Sequence, residues 1–276
     1  MTLAQYLAEL EQELVAAGEE AESLSFVYRA LNQLSFTDFV LKLRAEVSKE
    51  DREQLKAIQE QLLAHKPAQY IIGSSDFHSL NLKVDERVLI PRPETEELVE
   101  LILSENPETP LSVLDIGTGS GAIALALANS RPDWKITASD LSKDALSLAA
   151  ENAQFCGLNL TLVQSDCLDA IQGKFDIIAS NPPYISEEDK DEVGLNVLAS
   201  EPHMALFAGE NGYAIYRKIA EQAGDYLTEK GKIYLEISYK QGDGVVDLLK
   251  QFFPQKRIRV LKDQFGKDRM VAMDNG

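Results

Sequence analysis

The chain is poor in cysteine, poor in basic residues relative to its acids, and free of long apolar runs. Its two cysteines, Cys156 and Cys167, exclude a disulfide-stapled secreted scaffold and read as reduced thiols of a cytoplasmic protein. No apolar stretch approaches the roughly 20 residues that span a bilayer. The start, Met1-Thr2-Leu3-Ala4-Gln5-Tyr6, lacks the basic and then apolar order of a secretory leader. Lysine and arginine number 27 against 45 acidic residues, a formal net charge of −18. Gripping nucleic acid requires a basic footprint that displaces counterions from phosphates. Only short clusters such as Lys256-Arg257 and Arg259 exist, so direct nucleic-acid binding is not expected. His65, His78 and His203 are scattered away from any cluster with ligand spacing, and no metal site is expected. What remains, 276 residues at 45% hydrophobic and 26% charged, is a soluble globular chain.

Proline is also absent before Pro67, and that section reads as helical. Leu3, Leu7, Leu10 and Leu14 share one face at helical spacing, with Gly18 as a stop. Further helices are expected from Glu22 to Leu34, from Thr37 (as cap) to Ala45, and onward from a capping box of Ser48 and Asp51. Residues 1–66 are therefore predicted to form a small all-α bundle that docks a partner. Between 67 and 90 the period changes, through Tyr70-Ile71-Ile72, Leu80, Leu82, Val84 and Val88-Leu89-Ile90, to that of a β-hairpin linker. In Pro91-Arg92-Pro93-Glu94-Thr95-Glu96 two prolines stiffen a turn that presents Arg92, and Glu94 and Glu96 suit a helix N-terminus.

From Leu111 onward strands and helices alternate, the signature of a doubly wound α/β sheet. The strands expected are Ser112 to Ile116, Lys135 to Ser139, Leu160 to Gln164, Phe175 to Ser180 and Lys232 to Ile237. Helices are expected over Ala122 to Asn129, Lys143 to Phe155 and Ala214 to Leu227. Arg257 to Leu261 and Arg269 to Met273 are separated by a segment too short for a crossover helix, so they must pair antiparallel. That makes a seven-stranded Rossmann-like domain over 91–276, with the terminal hairpin typical of methyltransferases that use S-adenosylmethionine.

Asp115-Ile116-Gly117-Thr118-Gly119-Ser120-Gly121 falls where a strand turns into a helix. Glycines there allow a tight turn and close approach to a ligand. Gly117, Gly119 and Ala122 also fit a dinucleotide fingerprint, so the loop alone leaves two cofactors open. Asp115 can meet the amino-acid end of a cofactor. Asp140, 23 residues beyond Gly117, can accept from both ribose hydroxyls of either cofactor. Asp166 is placed to meet an adenine amino group.

Asn181-Pro182-Pro183-Tyr184 ends the apolar run Phe175-Asp176-Ile177-Ile178 and decides between them. A dehydrogenase has no use for an NH2 platform there, whereas a nitrogen methyltransferase does. An amide or adenine nitrogen is a poor nucleophile because its lone pair is delocalised. Two acceptors, the Asn181 side-chain oxygen and the Pro182 carbonyl, fix both N–H bonds, and Tyr184 stacks on the planar group. That is catalysis by positioning and electrostatics.

With these segments the chain resembles the HemK-type release-factor glutamine methyltransferases nearly end to end. The likeness includes Pro67-Ala68-Gln69-Tyr70-Ile71-Ile72-Gly73, Leu89 to Glu96, the glycine loop, Asn181 to Tyr184, Glu201-Pro202, Leu235-Glu236-Ile237 and the final hairpin. The resemblance implies methyl transfer from S-adenosylmethionine, giving S-adenosylhomocysteine, to the glutamine amide in the Gly-Gly-Gln loop of peptide-chain release factors. It implies that Gly117, Thr118, Gly119, Ser120, Gly121, Asp140, Cys167 and Asn181 line the cofactor. Asn181, Pro182, Pro183 and Tyr184 would hold the glutamine, with Arg92 and Glu94 beside it. Two positions depart from the family pattern: Cys167 stands where relatives can carry tryptophan, and Ala199 where an arginine is expected.

Overall fold

The predicted leucine face is the buried face of a helix over Leu3–Ala16. Thr2 and Gln5 cap its start reciprocally. Gly18, at φ +84°, ends it. The Gly18 N–H donates to the Val15 carbonyl and the Glu19 N–H to that of Leu14, the paired closing bonds of a left-handed helix stop. Helices over Glu22–Leu31, Phe36–Lys42 and Lys49–Leu63 follow. The Ser48–Asp51 capping box forms as expected. Thr37 is not the cap of the third helix: Ser35 is, accepting from the Asp38 N–H at 3.1 Å. Leu7, Leu14, Leu24, Val27, Leu55 and Ile58 close the core of this bundle.

The computed structural model describes all 276 residues. It divides them into one unit of Met1–Ser75 with Val193–Glu201, and another of Asp76–Glu192 with Pro202–Gly276. The expected linker is only partly extended. Tyr70-Ile71-Ile72 belongs to a one-turn helix, Ala68–Ile72, that starts after Pro67 and stops at Gly73, φ +82°. Strands β1 (Ser74–Phe77) and β2 (Leu80–Lys83) form a hairpin. Val88 to Ile90 is irregular, with Val88 and Ile90 buried as core plugs.

Seven strands build the sheet: β3 (Ser112–Ile116), β4 (Lys135–Asp140), β5 (Thr161–Gln164), β6 (Phe175–Ser180), β7 (Leu227–Glu236), β8 (Arg257–Lys262) and β9 (Asp268–Asp274). Their order is β5-β4-β3-β6-β7-β9-β8. The first five are parallel; β9 runs antiparallel to both β7 and β8. β3 and β6 are nearly continuous apolar runs, as central parallel strands covered on both faces must be. The expected helix Ala214 to Leu227 ends sooner, at Gln222. Leu227 pairs with Phe175 instead and opens β7. The terminal turn is tied by Asp263, whose carboxylate accepts from the N–H groups of Phe265 and Lys267, both at 2.9 Å, and from Arg269.

One carboxylate in the helical unit sets a pH limit. Burial opposes ionisation of Asp51, yet bonds from Lys42 (2.8 Å), Tyr28 (2.5 Å) and Ser48 outweigh it and hold the carboxyl down at about 2 against an ordinary 3.8. A depressed folded-state value means stability is present above 3.8 and lost as pH falls towards about 2. Asp51→Asn is expected to lower the melting temperature at neutral pH and to show a reduced loss over that window. Thermal unfolding followed by circular dichroism from neutral to strongly acid pH checks this.

Candidate active site

A cavity of about 280 Å³ opens at the C-terminal ends of β3, β4 and β6. Gly117 and Gly119 line it at φ +70° and +56°, a backbone that L side chains rarely adopt. An added Cβ at either meets no protein atom within 4 Å, so the space beside them is left for a ligand. Thr118 and Ser120 also line the wall. Gly121 does not. Its φ of +86° starts the helix Ala122–Ser130, and an added Cβ would press on Leu125 and Ala149 at 3.1 and 3.4 Å. It packs on the helix behind the loop and does not line the cavity.

Asp115, expected to meet the amino-acid end of a cofactor, sits behind the loop. It is fully buried, outside the cavity wall, and accepts from the Thr118 hydroxyl at 2.6 Å. It thereby braces the loop from within. Burial pushes its carboxyl up to about 7, tempered by the Thr118 bond and the nearby Ala124 N–H.

Asp140 is where the sequence put it. At the end of β4 it lines the cavity, with Oδ2 accepting from the Gly119 N–H at 2.9 Å and Oδ1 from the Ser142 N–H at 2.8 Å. Burial raises its carboxyl while the N–H groups of Ser142, Gly119 and Leu141 oppose that shift. A carboxylate fixed by backbone donors still has lone pairs to offer, the donor-poor chemistry that ribose hydroxyls need.

Asp166 lines the cavity, but its Oδ2 is already paired with Lys218 at 2.8 Å. Any adenine contact therefore shares this carboxylate with an ammonium. Cys167 lines the wall at φ +50°, buried, and burial pushes its thiol up to about 12. It is a neutral apolar surface there, not a nucleophile.

Asn181, Pro182 and Pro183 reach the same cavity, as does Arg92 from the turn before the helix Pro93–Glu105. Tyr184 and Glu94 stand outside its lining. The Tyr184 carbonyl accepts from Gln241 Nε2 at 3.0 Å, and its hydroxyl is raised first by burial and next by the charge of Glu236. Gly212 packs so closely on the Tyr184 carbonyl that a Cβ would lie 2.2 Å away. The Asn181 turn is thus clamped on its far side.

Two residues went unread as site groups. Asn181 Nδ2 donates to Thr95 Oγ1 at 3.1 Å, and Thr95 Oγ1 donates to Glu236 Oε2 at 2.7 Å. Thr95 and Glu236 are 4% and 2% exposed. Burial pushes the Glu236 carboxyl up to about 7 against the bond from Thr95 and the charge of Arg269, with Glu94 adding to the rise. Both residues lay within segments that carried the family likeness. Their contact, 141 positions apart, has no local signature.

The residues present fit S-adenosylmethionine: two glycines in the loop for close approach, an oriented carboxylate for hydroxyls, and a neutral buried wall for a ring. Known proteins agree. The family described as the PrmC N-terminal domain matches residues 5–73, and the methyltransferase small domain matches residues 95–210. The release factor glutamine methyltransferase of Streptococcus pneumoniae is 65% identical over 100% of this chain and 99% of its own. That of Lactococcus lactis is 50% identical over 92% and 94%. A solved methyltransferase of Pyrococcus furiosus shares the fold at 19% identity, with a TM-score of 0.54 over 81% of this chain and 98% of that one. A Thermus thermophilus 16S rRNA methyltransferase, solved with AdoMet and guanosine, does so at 16% identity and a TM-score of 0.51, over 74% and 50%.

Asp140→Ala is expected to weaken S-adenosylmethionine binding by about 1.5–3 kcal/mol, the usual worth of hydrogen bonds to a charged group. Isothermal titration calorimetry checks it.

Proposed function

Because the chain belongs to the release factor glutamine methyltransferases, we propose that it methylates a peptide-chain release factor. The acceptor is the side-chain amide nitrogen, N5, of the glutamine in the Gly-Gly-Gln motif, and the modification modulates translation termination. The observation that carries this reading is that Asn181 and Pro182 line the same cavity as the glycine loop and Asp140.

Bound S-adenosylmethionine supplies a methyl group on a cationic sulfonium and departs as the neutral thioether S-adenosylhomocysteine. Gly117, Gly119, Asp140, Asp166 and Cys167 hold it. Asn181 Oδ1 and the Pro182 carbonyl accept the two N–H bonds of the glutamine amide. Pro182 has no N–H of its own to compete, and Pro183 biases it to extended backbone. With both hydrogens fixed, the nitrogen lone pair is turned out of conjugation and aimed at the methyl. The side chains act by position and partial charge. The nitrogen becomes cationic as it takes the methyl and then gives up one N–H proton to water, so no general base is required before transfer. Tyr184 supports the cradle from beside it, and Arg92 and Glu94 flank the entrance. The net charge of −18 disfavours a nucleic-acid adenine as the acceptor.

No helix is long and apolar enough to cross a membrane, in keeping with an enzyme that works in the cytoplasm beside the translation machinery. The bundle of residues 1–66 is read as the docking domain, since Phe36 and Leu41 on one short helix are 70% and 62% exposed.

Mass spectrometry of a release factor incubated with the enzyme and S-adenosylmethionine is expected to find one added methyl on the Gly-Gly-Gln glutamine. Asn181→Ala is expected to cut kcat by about 10²–10³, the scale for losing one preorganised hydrogen-bonding group. No added methyl with the wild type overturns the reading. Phe36→Ser is expected to raise KM for the intact factor while kcat and melting temperature stay unchanged, as steady-state kinetics would register.

A further inference from the structure

The cradle works only if the Asn181 amide presents its oxygen to the substrate. An Asn side chain is nearly symmetric in shape, and a half-turn about its last bond would offer an NH2 instead. That orientation would set donors against the donors of the glutamine amide. Whatever holds Nδ2 on the other side therefore determines whether the site can act.

Nδ2 donates to Thr95 Oγ1 at 3.1 Å. A hydroxyl has one hydrogen and can point it either way, so Thr95 alone would select neither end of the amide. Its hydrogen is committed elsewhere: Thr95 Oγ1 donates to Glu236 Oε2 at 2.7 Å. An ionised carboxylate accepts only. With the hydroxyl hydrogen taken, only a lone pair of Thr95 faces Asn181, and that lone pair selects Nδ2. That leaves Oδ1 as the end of the amide turned away from Thr95. Both anchors are buried. Glu236 is 2% exposed and ends β7, with its backbone carbonyl accepting from Tyr216 at 2.8 Å; Thr95, 4% exposed, lies in the first turn of the helix Pro93–Glu105. Arg269, Glu94, Tyr184 and Tyr216 are the charged or titratable groups that act on Glu236.

We propose that Thr95 and Glu236 are positioning residues that fix the Asn181 amide with its oxygen turned to the acceptor nitrogen, through a one-way hydrogen-bond relay. Thr95 lines the cavity and Glu236 does not, and both act through Asn181. This rests on the reading of Asn181 as the acceptor cradle, and it assigns the direction of that cradle to two buried side chains.

The test uses the full-length enzyme at about pH 9, above the value of about 7 to which burial raises the Glu236 carboxyl. Thr95→Val keeps the shape and removes the hydroxyl; Thr95→Ser keeps the hydroxyl. Thr95→Val is expected to lower kcat on a release factor about 10- to 100-fold. Its KM for the factor, affinity for S-adenosylmethionine and fold by circular dichroism should stay close to wild type. Thr95→Ser should restore most of kcat, and Thr95→Val should cost nothing further in an Asn181→Ala background. An unchanged kcat in Thr95→Val, no rescue by serine, or a full additional loss in the double variant overturns the proposal. A second measurement is independent of turnover: the side-chain ¹⁵N amide signal of Asn181 in the free enzyme. One Nδ2 hydrogen should be protected from exchange in wild type and Thr95→Ser and unprotected in Thr95→Val; equal exchange in all three overturns the relay. A wild type with no methyl transfer would sink the functional reading, and the amide signal would still decide the relay.

Discussion

The site depends on the parallel pairing of β3 and β6 at the centre of the sheet. Ile116 is registered against Ser180, and the Ser180 hydroxyl donates to the Ile116 carbonyl at 2.7 Å. Both side chains are buried. The glycine loop begins at the next residue of one strand and the Asn181 turn at the next residue of the other. A methyl donor on the first and an amide on the second are therefore brought together by the ladder itself. Slippage in a parallel pair would separate them, and the fully buried faces of both strands fix the register.

Around that junction the protein keeps buried carboxylates that favour function over ease of folding. Asp115 and Glu236 are both pushed up to about 7 by burial, so ionising either inside the fold is costly. Asp115 braces the loop through Thr118, and Glu236 anchors Thr95. Asp140 is treated differently: backbone N–H groups orient both its oxygens towards the cavity rim. The three acids are similar in sequence and differ in task because their donors differ.

Much of this was legible from residues alone. Periodicity gave the bundle face, and Gly18 and the Ser48–Asp51 box marked its ends. The short spacer before Arg269 forced the antiparallel hairpin. Asn181-Pro182-Pro183 and Asp140 fell at strand ends, where ligands bind. The misreadings share a cause. Tyr70-Ile71-Ile72 has strand propensity, yet Pro67 and the left-handed Gly73 enclose a single helical turn. Gly121 looks like its neighbours in the loop, and only the packing of Leu125 and Ala149 against it separates their roles. Ser35 and Thr37 are both plausible caps; which one serves depends on where the helix begins in three dimensions. The Asn181–Thr95–Glu236 contact joins three distant segments and could not be read from any one of them.

The most direct test of the central claim is a crystal structure of the enzyme with S-adenosylhomocysteine and a glutamine-containing Gly-Gly-Gln peptide. The expected result is the glutamine NH2 within hydrogen-bond distance of both Asn181 Oδ1 and the Pro182 carbonyl. A glutamine bound with its carbonyl oxygen towards Asn181, or bound away from the end of β6, would contradict the account.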